Sequence, residues 1–277
     1  MKSLEGKRFV VTGAASGVGA ALAAVLQEGG ASVIGLDIRH DQARCDESIH
    51  CDLADPASID AVVAGLKGRL DGLINVAGVP GSMPMALVAK VNFLGLRHLT
   101  AQLLPRIGDG GVVINVASTA GAGWRDRKDR ALPLLLATTW EQGLAVFDGL
   151  DLDPVAAYDF TKEAVILYSM LISSQERHRG VRVNSISPGA VQTPILKDFY
   201  ATMGSDLLGK LRTQAGGRDA QPLEVARAIA LLLDDGFFWM NGVDLILDGG
   251  AEVVLTLGSL ATPATTVPGG GAAARGA

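Results

Sequence analysis

Cysteine is almost missing from this chain: Cys45 and Cys51 are the only two in 277 residues. Two cysteines cannot supply a disulfide framework, and a chain of this length buries a core that needs none, so both are expected to be small, partly buried hydrophobes. The four histidines, His40, His50, His98 and His178, show no paired metal-ligand spacing, and no metal site is expected. Charge is also sparse at 19% and leans acidic, with a net charge of -5 and a pI near 5.4. Without a basic cluster there is no electrostatic footprint for nucleic acid or an anionic membrane. Long apolar runs are missing as well. The most apolar stretch, ALPLLLATTW at 131–140, holds Pro133 and stops at Glu141, short of the roughly 20 residues that span a bilayer. The opening MKSLEGKRFVVTG passes from charged residues into a β-branched run with no apolar signal segment, which predicts a cytoplasmic protein.

What the chain does have is alternation of short apolar runs with longer helical stretches. RFVVTG (8–13), ASVIGLD (31–37), LDGLINVAG (70–78), GVVINVAS (111–118), GVRVNSISPG (180–189) and GVDLILDGG (242–250) read as strands, with a weaker one near SIHCDL (48–53). Near-continuous apolar strands separated by helices predict a doubly wound α/β fold, a parallel sheet of about seven strands covered on both faces. One domain is expected over 1–257. Two segments break its rhythm: a helix-prone insertion at about 122–154, and a tail at 258–277 rich in Gly, Ala, Pro and Thr. The tail is too poor in core-forming residues to offset its ordering cost and is expected to stay mobile.

The first strand runs into TGAASGVGAALAAVL, where Gly13, Gly17 and Gly19 stand at a strand-to-helix turn. Glycines there permit positive φ and close backbone approach, while the helix N-terminus attracts a pyrophosphate. Asp37 closes the second strand 24 residues beyond Gly13, where a carboxylate accepts hydrogen bonds from ribose hydroxyls and repels a 2′-phosphate. This predicts NAD over NADP, with Arg39 the one nearby feature that softens the preference. Further on, AAYDFTKEAV (156–165) puts Tyr158 and Lys162 on one helical face. Alone, that pair is either an aromatic core anchor beside a snorkelling lysine or a phenol with an activating amine.

Together these features resemble the short-chain dehydrogenase/reductase family. The pattern T-G-x-x-x-G-x-G is met by Thr12, Gly13, Gly17 and Gly19. Asp52-Leu53, the NVAG of Asn75 to Gly78, Val91-Asn92, NVASTAG with Ser118, the Tyr158/Lys162 pair and PGAVQT from Pro188 to Thr193 follow in the family's order, over about residues 5–252. Ser118 and Tyr158 stand 40 residues apart, farther than in most relatives. That insertion and the DIR of Asp37 to Arg39 resemble a bacterial subgroup holding 3α-hydroxysteroid dehydrogenase/carbonyl reductase and coniferyl-alcohol dehydrogenase.

The resemblance implies an enzyme in which Tyr158 is the acid/base, Lys162 lowers its pKa and holds the nicotinamide ribose, and Ser118 steadies the substrate oxygen. Asn92 would hold a water on a proton path. It implies cofactor contacts at Gly13, Ser16, Gly17, Val18, Gly19, Asp37, Ile38, Asp52, Leu53, Asn75, Ala77, Gly78, Pro188, Gly189, Val191 and Thr193, besides Tyr158 and Lys162. The expected activity is NAD-dependent hydride transfer to or from a secondary alcohol or ketone on a ring-bearing, apolar substrate. A primary aryl-allylic alcohol dehydrogenase and a non-catalytic NAD(H)-sensing protein are the alternatives. The sensor has no need of Ser118, Tyr158 and Lys162 together. The insertion is expected to obstruct the family's usual helix interface, to roof the substrate cleft with 131–140, and to leave a homodimer (a tetramer being the alternative) joined near the last strand and helix 221–234.

Overall fold

A computed structural model describes residues 4–203 and 205–257; the predicted tail lies outside the described residues. Seven strands form one parallel sheet: β1 (Arg8–Thr12), β2 (Ser32–Asp37), β3 (Glu47–His50), β4 (Leu70–Asn75), β5 (Ile107–Val116), β6 (Arg182–Pro188) and β7 (Asp244–Leu247). Their order is β3-β2-β1-β4-β5-β6-β7. The weak strand expected near 48–53 is β3, and it pairs Asp37 with His50 at the end of β2. The order reverses between β1 and β4, where a parallel sheet opens a crevice beyond its strand C-termini. β6 is buried along its whole length, as near-continuous apolar runs require when helices cover both faces.

The helices are α1 (Gly17–Glu28), α2 (Pro56–Gly65), α3 (Met85–Ala89), α4 (Leu96–Leu103), α5 (Trp124–Leu136), α6 (Trp140–Asp148), α7 (Pro154–Gln175), α8 (Leu196–Met203), α9 (Ser205–Gln214), α10 (Pro222–Leu232) and α11 (Ala251–Leu257). Local chemistry starts several of them. Asp153 caps α7 by accepting the Ala156 N–H at 2.8 Å, with Pro154 in the first turn. Thr139 and Gln142 form a capping box at α6, and Gln221 and Glu224 form one at α10. Two cores result. One face of the sheet packs Leu22, Leu26, Val225 and Ile229 from α1 and α10. The other packs Ile59, Phe93, Leu99, Phe160 and Val165, together with Ala131, Leu134 and Phe147 from the inserted α5 and α6. The insertion and α7 thus share one core.

Between α3 and α4 the chain widens into a π turn over Lys90–Gly95, and Asn92 sits in it. Such bulges recur at functional sites because they reaim a side chain within a continuous helix. Among the described residues no helix is long and apolar enough to cross a membrane.

Candidate active site

The glycine turn is built by close contact. Gly13 has φ +70°, and a Cβ there would lie 2.9 Å from the Ala77 Cα; one at Gly19 would lie 2.1 Å from the Gly13 carbonyl oxygen. Turn and helix can touch only as glycines. Thr12 ties the crevice walls together, its hydroxyl accepting the N–H groups of Val76 and Ala77 at 3.0 and 3.1 Å. Ser16 occupies the N-cap of α1 without capping it, and the first turn holds no acidic residue, so its N–H donors have no side-chain acceptor. This donor set fits a pyrophosphate.

Asp37 is held in place at the mouth of the turn. Its Oδ2 accepts the Ala15 N–H at 3.0 Å and its Oδ1 the Arg39 N–H at 2.8 Å, while Arg39 Nη2 donates to Ser16 Oγ at 3.0 Å. Each carboxylate oxygen keeps a lone pair for a ribose hydroxyl. Ile38 is exposed beside it, and Asp52 Oδ1 accepts the Ala54 N–H at 2.8 Å. Val18 packs against the core behind the turn, whereas Leu53 is buried with its carbonyl against Gly95. On the opposite wall Thr193 stands against Gly17, where an added Cβ would lie 3.0 Å from its Cγ2, and Val191 bridges to Ala220. Pro188 ends β6, and Gly189 packs against Asp248.

Ser118, Tyr158 and Lys162 come together at the ends of β5 and α7. Ser118 Oγ accepts the Ala120 N–H at 3.2 Å, and the Ser118 side chain acts on the phenol of Tyr158, drawing its proton affinity down. The phenol's proton affinity is raised, first by burial, with Asp159 adding to it and the Ser118 hydrogen bond opposing. Burial likewise lowers Lys162 to about 8. Its Nζ lies 5.6 Å from the Tyr158 ring centroid and donates to the Val116 carbonyl at 3.1 Å. In this state the lysine's charge does not offset the burial of the phenol. Gly78 separates Lys162 from Asn92: a Cβ there would lie 3.7 Å from Nζ and 3.3 Å from Asn92 Oδ1.

The structure narrows two expectations and changes a third. Asn75 points into the sheet, its amide donating to Thr100 at 2.9 Å and to Asn115 at 2.8 Å, so any cofactor contact passes through its main chain. Asn92 closes both side-chain polar atoms on Val79, accepting the N–H at 2.8 Å and donating to the carbonyl at 2.9 Å. Trp140 does not roof the cleft. Its ring meets His98 of α4 edge-on at 5.9 Å, because α5 and α6 form a hairpin laid against α7 and the α3–α4 segment. The aromatic over Tyr158 is Phe199 of α8, edge-to-face at 5.1 Å. Sequence reasoning missed it; its one signal was an amphipathic segment, LKDFYATM, directly after the PGAVQT loop. Insertion residue Trp124 instead lines a cavity of about 220 Å³ with Ser118, Thr119, Met170 and Asp244. No group of metal-ligating side chains occurs among the described residues.

Residues 7–126 match the short chain dehydrogenase family, and residues 150–252 match the family described as Enoyl-(Acyl carrier protein) reductase. The chain belongs to the short-chain dehydrogenase/reductase family and is a dehydrogenase of the kind that uses a nicotinamide cofactor. The unmatched segment, 127–149, falls within the inserted hairpin. Among relatives, the chain is 40% identical to the coniferyl-alcohol dehydrogenase of Pseudomonas sp. (strain HR199 / DSM 7063), over 89% of this chain and 97% of that one. It is 29% identical to the 3-alpha-hydroxysteroid dehydrogenase/carbonyl reductase of Comamonas testosteroni over the same shares. The 3-alpha-hydroxysteroid dehydrogenase of Pseudomonas sp. B-0831, solved with NADH, superposes with a TM-score of 0.76 at 31% identity, over 91% of this chain and 100% of that one.

Proposed function

We propose that the protein transfers a hydride between NAD and an alcohol or carbonyl carbon on a ring-bearing, mostly apolar substrate, a secondary alcohol or ketone. The observation that carries this is the meeting of Ser118, Tyr158 and Lys162 beside a glycine turn whose Asp37 is fixed for ribose. The nicotinamide, when bound, supplies the hydride acceptor or donor. The pyrophosphate would be held by the Gly13, Ser16, Gly17, Val18 and Gly19 turn, the adenosine by Asp37, Ile38, Asp52 and Leu53. The nicotinamide half would be held by Lys162, the main chain of Asn75 to Gly78, and Pro188, Gly189, Val191 and Thr193.

For alcohol oxidation, Tyr158 would act as the phenolate, favoured by the Lys162 ammonium, its own proton having left by the proton path; its Oη then takes the hydroxyl proton as the carbon gives up its hydride, and Ser118 donates to the same oxygen. The Asn92 side chain is occupied by Val79, which leaves its main chain in the π turn to hold the water of a proton path. Arg39 Nη2 donates to Ser16 Oγ in this structure, and the Asp37 carboxylate is the charge that disfavours a 2′-phosphate. A second reading, a primary aryl-allylic alcohol, is favoured by the 40% identity to coniferyl-alcohol dehydrogenase.

The assembly proposed is a homodimer through β7 and α10. β7 is an edge strand, and Phe238 and Trp239 beside it are 71% and 88% exposed. The α7 face is instead occupied by α5. Light scattering showing a tetramer refutes this. The activity is tested by a screen of hydroxysteroids, aryl-allylic alcohols and cyclic ketones with NAD and NADP, followed as absorbance of the reduced cofactor. Tyr158→Phe is expected to abolish turnover while NADH binding persists; turnover within threefold of wild type overturns the assignment.

A further inference from the structure

The segment that leaves Ser118 is tied to α7 twice. Ser118 opens a tight turn, its carbonyl accepting the Gly121 N–H at 2.9 Å and its hydroxyl the Ala120 N–H at 3.2 Å. That turn lies directly on the backbone of α7: a Cβ at Gly121 would stand 2.9 Å from the Lys162 carbonyl carbon and 3.1 Å from the Glu163 nitrogen. Only a glycine lets the two backbones come so close. The second tie comes from α5, which begins at Trp124. Its Arg127 forms an ion pair with Glu163, the neighbour of Lys162, whose side chain is 2% exposed. The guanidinium leans back over Gly123, where a Cβ would stand 2.6 Å from its Cζ, as helical side chains lean toward the N-terminus. Segment 118–127 is thus held to α7 at Lys162 and Glu163.

We propose that Arg127 and Glu163 are positioning residues for the reaction: their ion pair clamps the turn after β5 onto α7 and so fixes the Ser118 hydroxyl relative to Tyr158. The Gly121 contact sets how near the turn can come and does little to hold it there, because a van der Waals contact is individually weak. Arg127 and Glu163 supply the attraction. Stability alone is a poor reason for the pair, since burying a carboxylate costs desolvation that an apolar side chain beside Phe160 and Ile166 would not incur. What an ion pair adds is a fixed mutual geometry. The far end of the hairpin is anchored independently, by Arg97 donating to the carbonyls of Leu134, Ala137 and Thr139 at 2.9, 2.8 and 3.1 Å. Breaking the clamp therefore frees the Ser118 turn and leaves the hairpin in place.

This rests on Ser118 and Tyr158 acting on the substrate oxygen, which Ser118→Ala and Tyr158→Phe test separately. The closing experiment is a double-mutant cycle of Glu163→Gln with Ser118→Ala. It is read as the single-turnover rate of alcohol oxidation with enzyme in excess, so that slow variants stay measurable. Glu163→Gln keeps the shape of the side chain and removes its charge. Alone, it is expected to lower the rate about 5- to 50-fold, since a displacement of about 1 Å can cost on the order of 100-fold. KM and the NADH dissociation constant are expected to stay within twofold. In the Ser118→Ala background, where no hydroxyl is left to misplace, the same substitution is expected to change the rate less than about twofold. Arg127→Met, at a half-exposed position, carries the same expectations and replaces Glu163→Gln in the cycle should that variant fail to fold. A general loosening of the fold would instead lower the rate equally in both backgrounds and weaken NADH binding. Equal losses in the two backgrounds, or no loss in the single variant, overturn the proposal. A Ser118→Ala enzyme with full turnover overturns it together with the role given to Ser118.

Discussion

Gly19→Ala tests the cofactor turn at its tightest point. The new Cβ would stand 2.1 Å from the Gly13 carbonyl oxygen and 2.7 Å from its carbon. Both are backbone atoms, so no rotamer change relieves the overlap. Restoring an ordinary contact requires the turn and the first turn of α1 to separate by about 1.4 Å, since nonbonded heavy atoms settle at about 3.5 Å. Separation moves the N–H groups of Gly17 to Gly19 off any phosphate they hold. Losing one hydrogen bond to a charged group costs about 1.5 to 3 kcal/mol, and the dissociation constant for NADH should rise about 10- to 150-fold. Fluorescence titration with NADH measures this directly. Gly65→Ala, at the end of α2, is the matched control, because its Cβ would meet nothing within 4 Å. Cofactor affinity in Gly19→Ala within threefold of the control refutes the assignment of this turn.

Asp37→Ala is expected to weaken NAD binding and to narrow the gap to NADP, since it removes both a ribose acceptor and a repulsive charge; a wild type that already prefers NADP by kcat/KM contradicts it. Phe199→Ala removes the edge-to-face ring above Tyr158, an interaction worth about 0.5 to 1.5 kcal/mol. Denaturant unfolding should register a loss of about that size with NAD affinity unchanged, and unaltered stability contradicts the contact. Trp140→Ala is expected to act on stability alone. Its ring is half-buried against His98 and the core, so a loss of about 1 to 2 kcal/mol in denaturant unfolding is the outcome, and a selective rise in KM would contradict the placement.

Strands and the glycine turn were legible because each carries its signal locally. RFVVTG centres on the apolar run Phe9 to Val11 and breaks at a glycine, and the structure pairs it with neighbours on both sides. The direction of a side chain at a strand end has no such signal. Asn75 reads as part of a cofactor loop, yet one further step of alternation turns it into the sheet toward Asn115. The insertion failed differently. Its count of apolar residues required burial, and Ala131, Leu134 and Phe147 are indeed buried, while Leu136 is 70% exposed. Periodicity reports that a face is buried and is silent on what buries it. Phe199 was beyond reach for the same reason, since its partner ring lies on another helix and only the fold brings α8 over α7.

That silence is deepest in α7 itself. Of its residues, Ala157, Phe160, Ala164, Val165 and Ile172 face the core, Tyr158 and Lys162 are buried toward the cleft, and Glu163 is buried toward the insertion. A helix buried on nearly every side has no polar face, so its sequence shows little amphipathic contrast. This explains why Tyr158 and Lys162, taken alone, fit an aromatic core anchor as well as they fit a catalytic pair: on the proposed function they would be both. The phenol is buried because α8 and the loop at Gly81 close on it, and burial is what raises its proton affinity. Packing and chemistry therefore cannot be assigned to separate residues of this helix. A substitution on the core face that tilts α7 displaces Tyr158 from Ser118, and one on the insertion face frees the Ser118 turn from α7. The two cases separate experimentally, because a tilt lowers kcat whether or not residue 118 carries a hydroxyl, whereas a freed turn lowers it only where Ser118 is present.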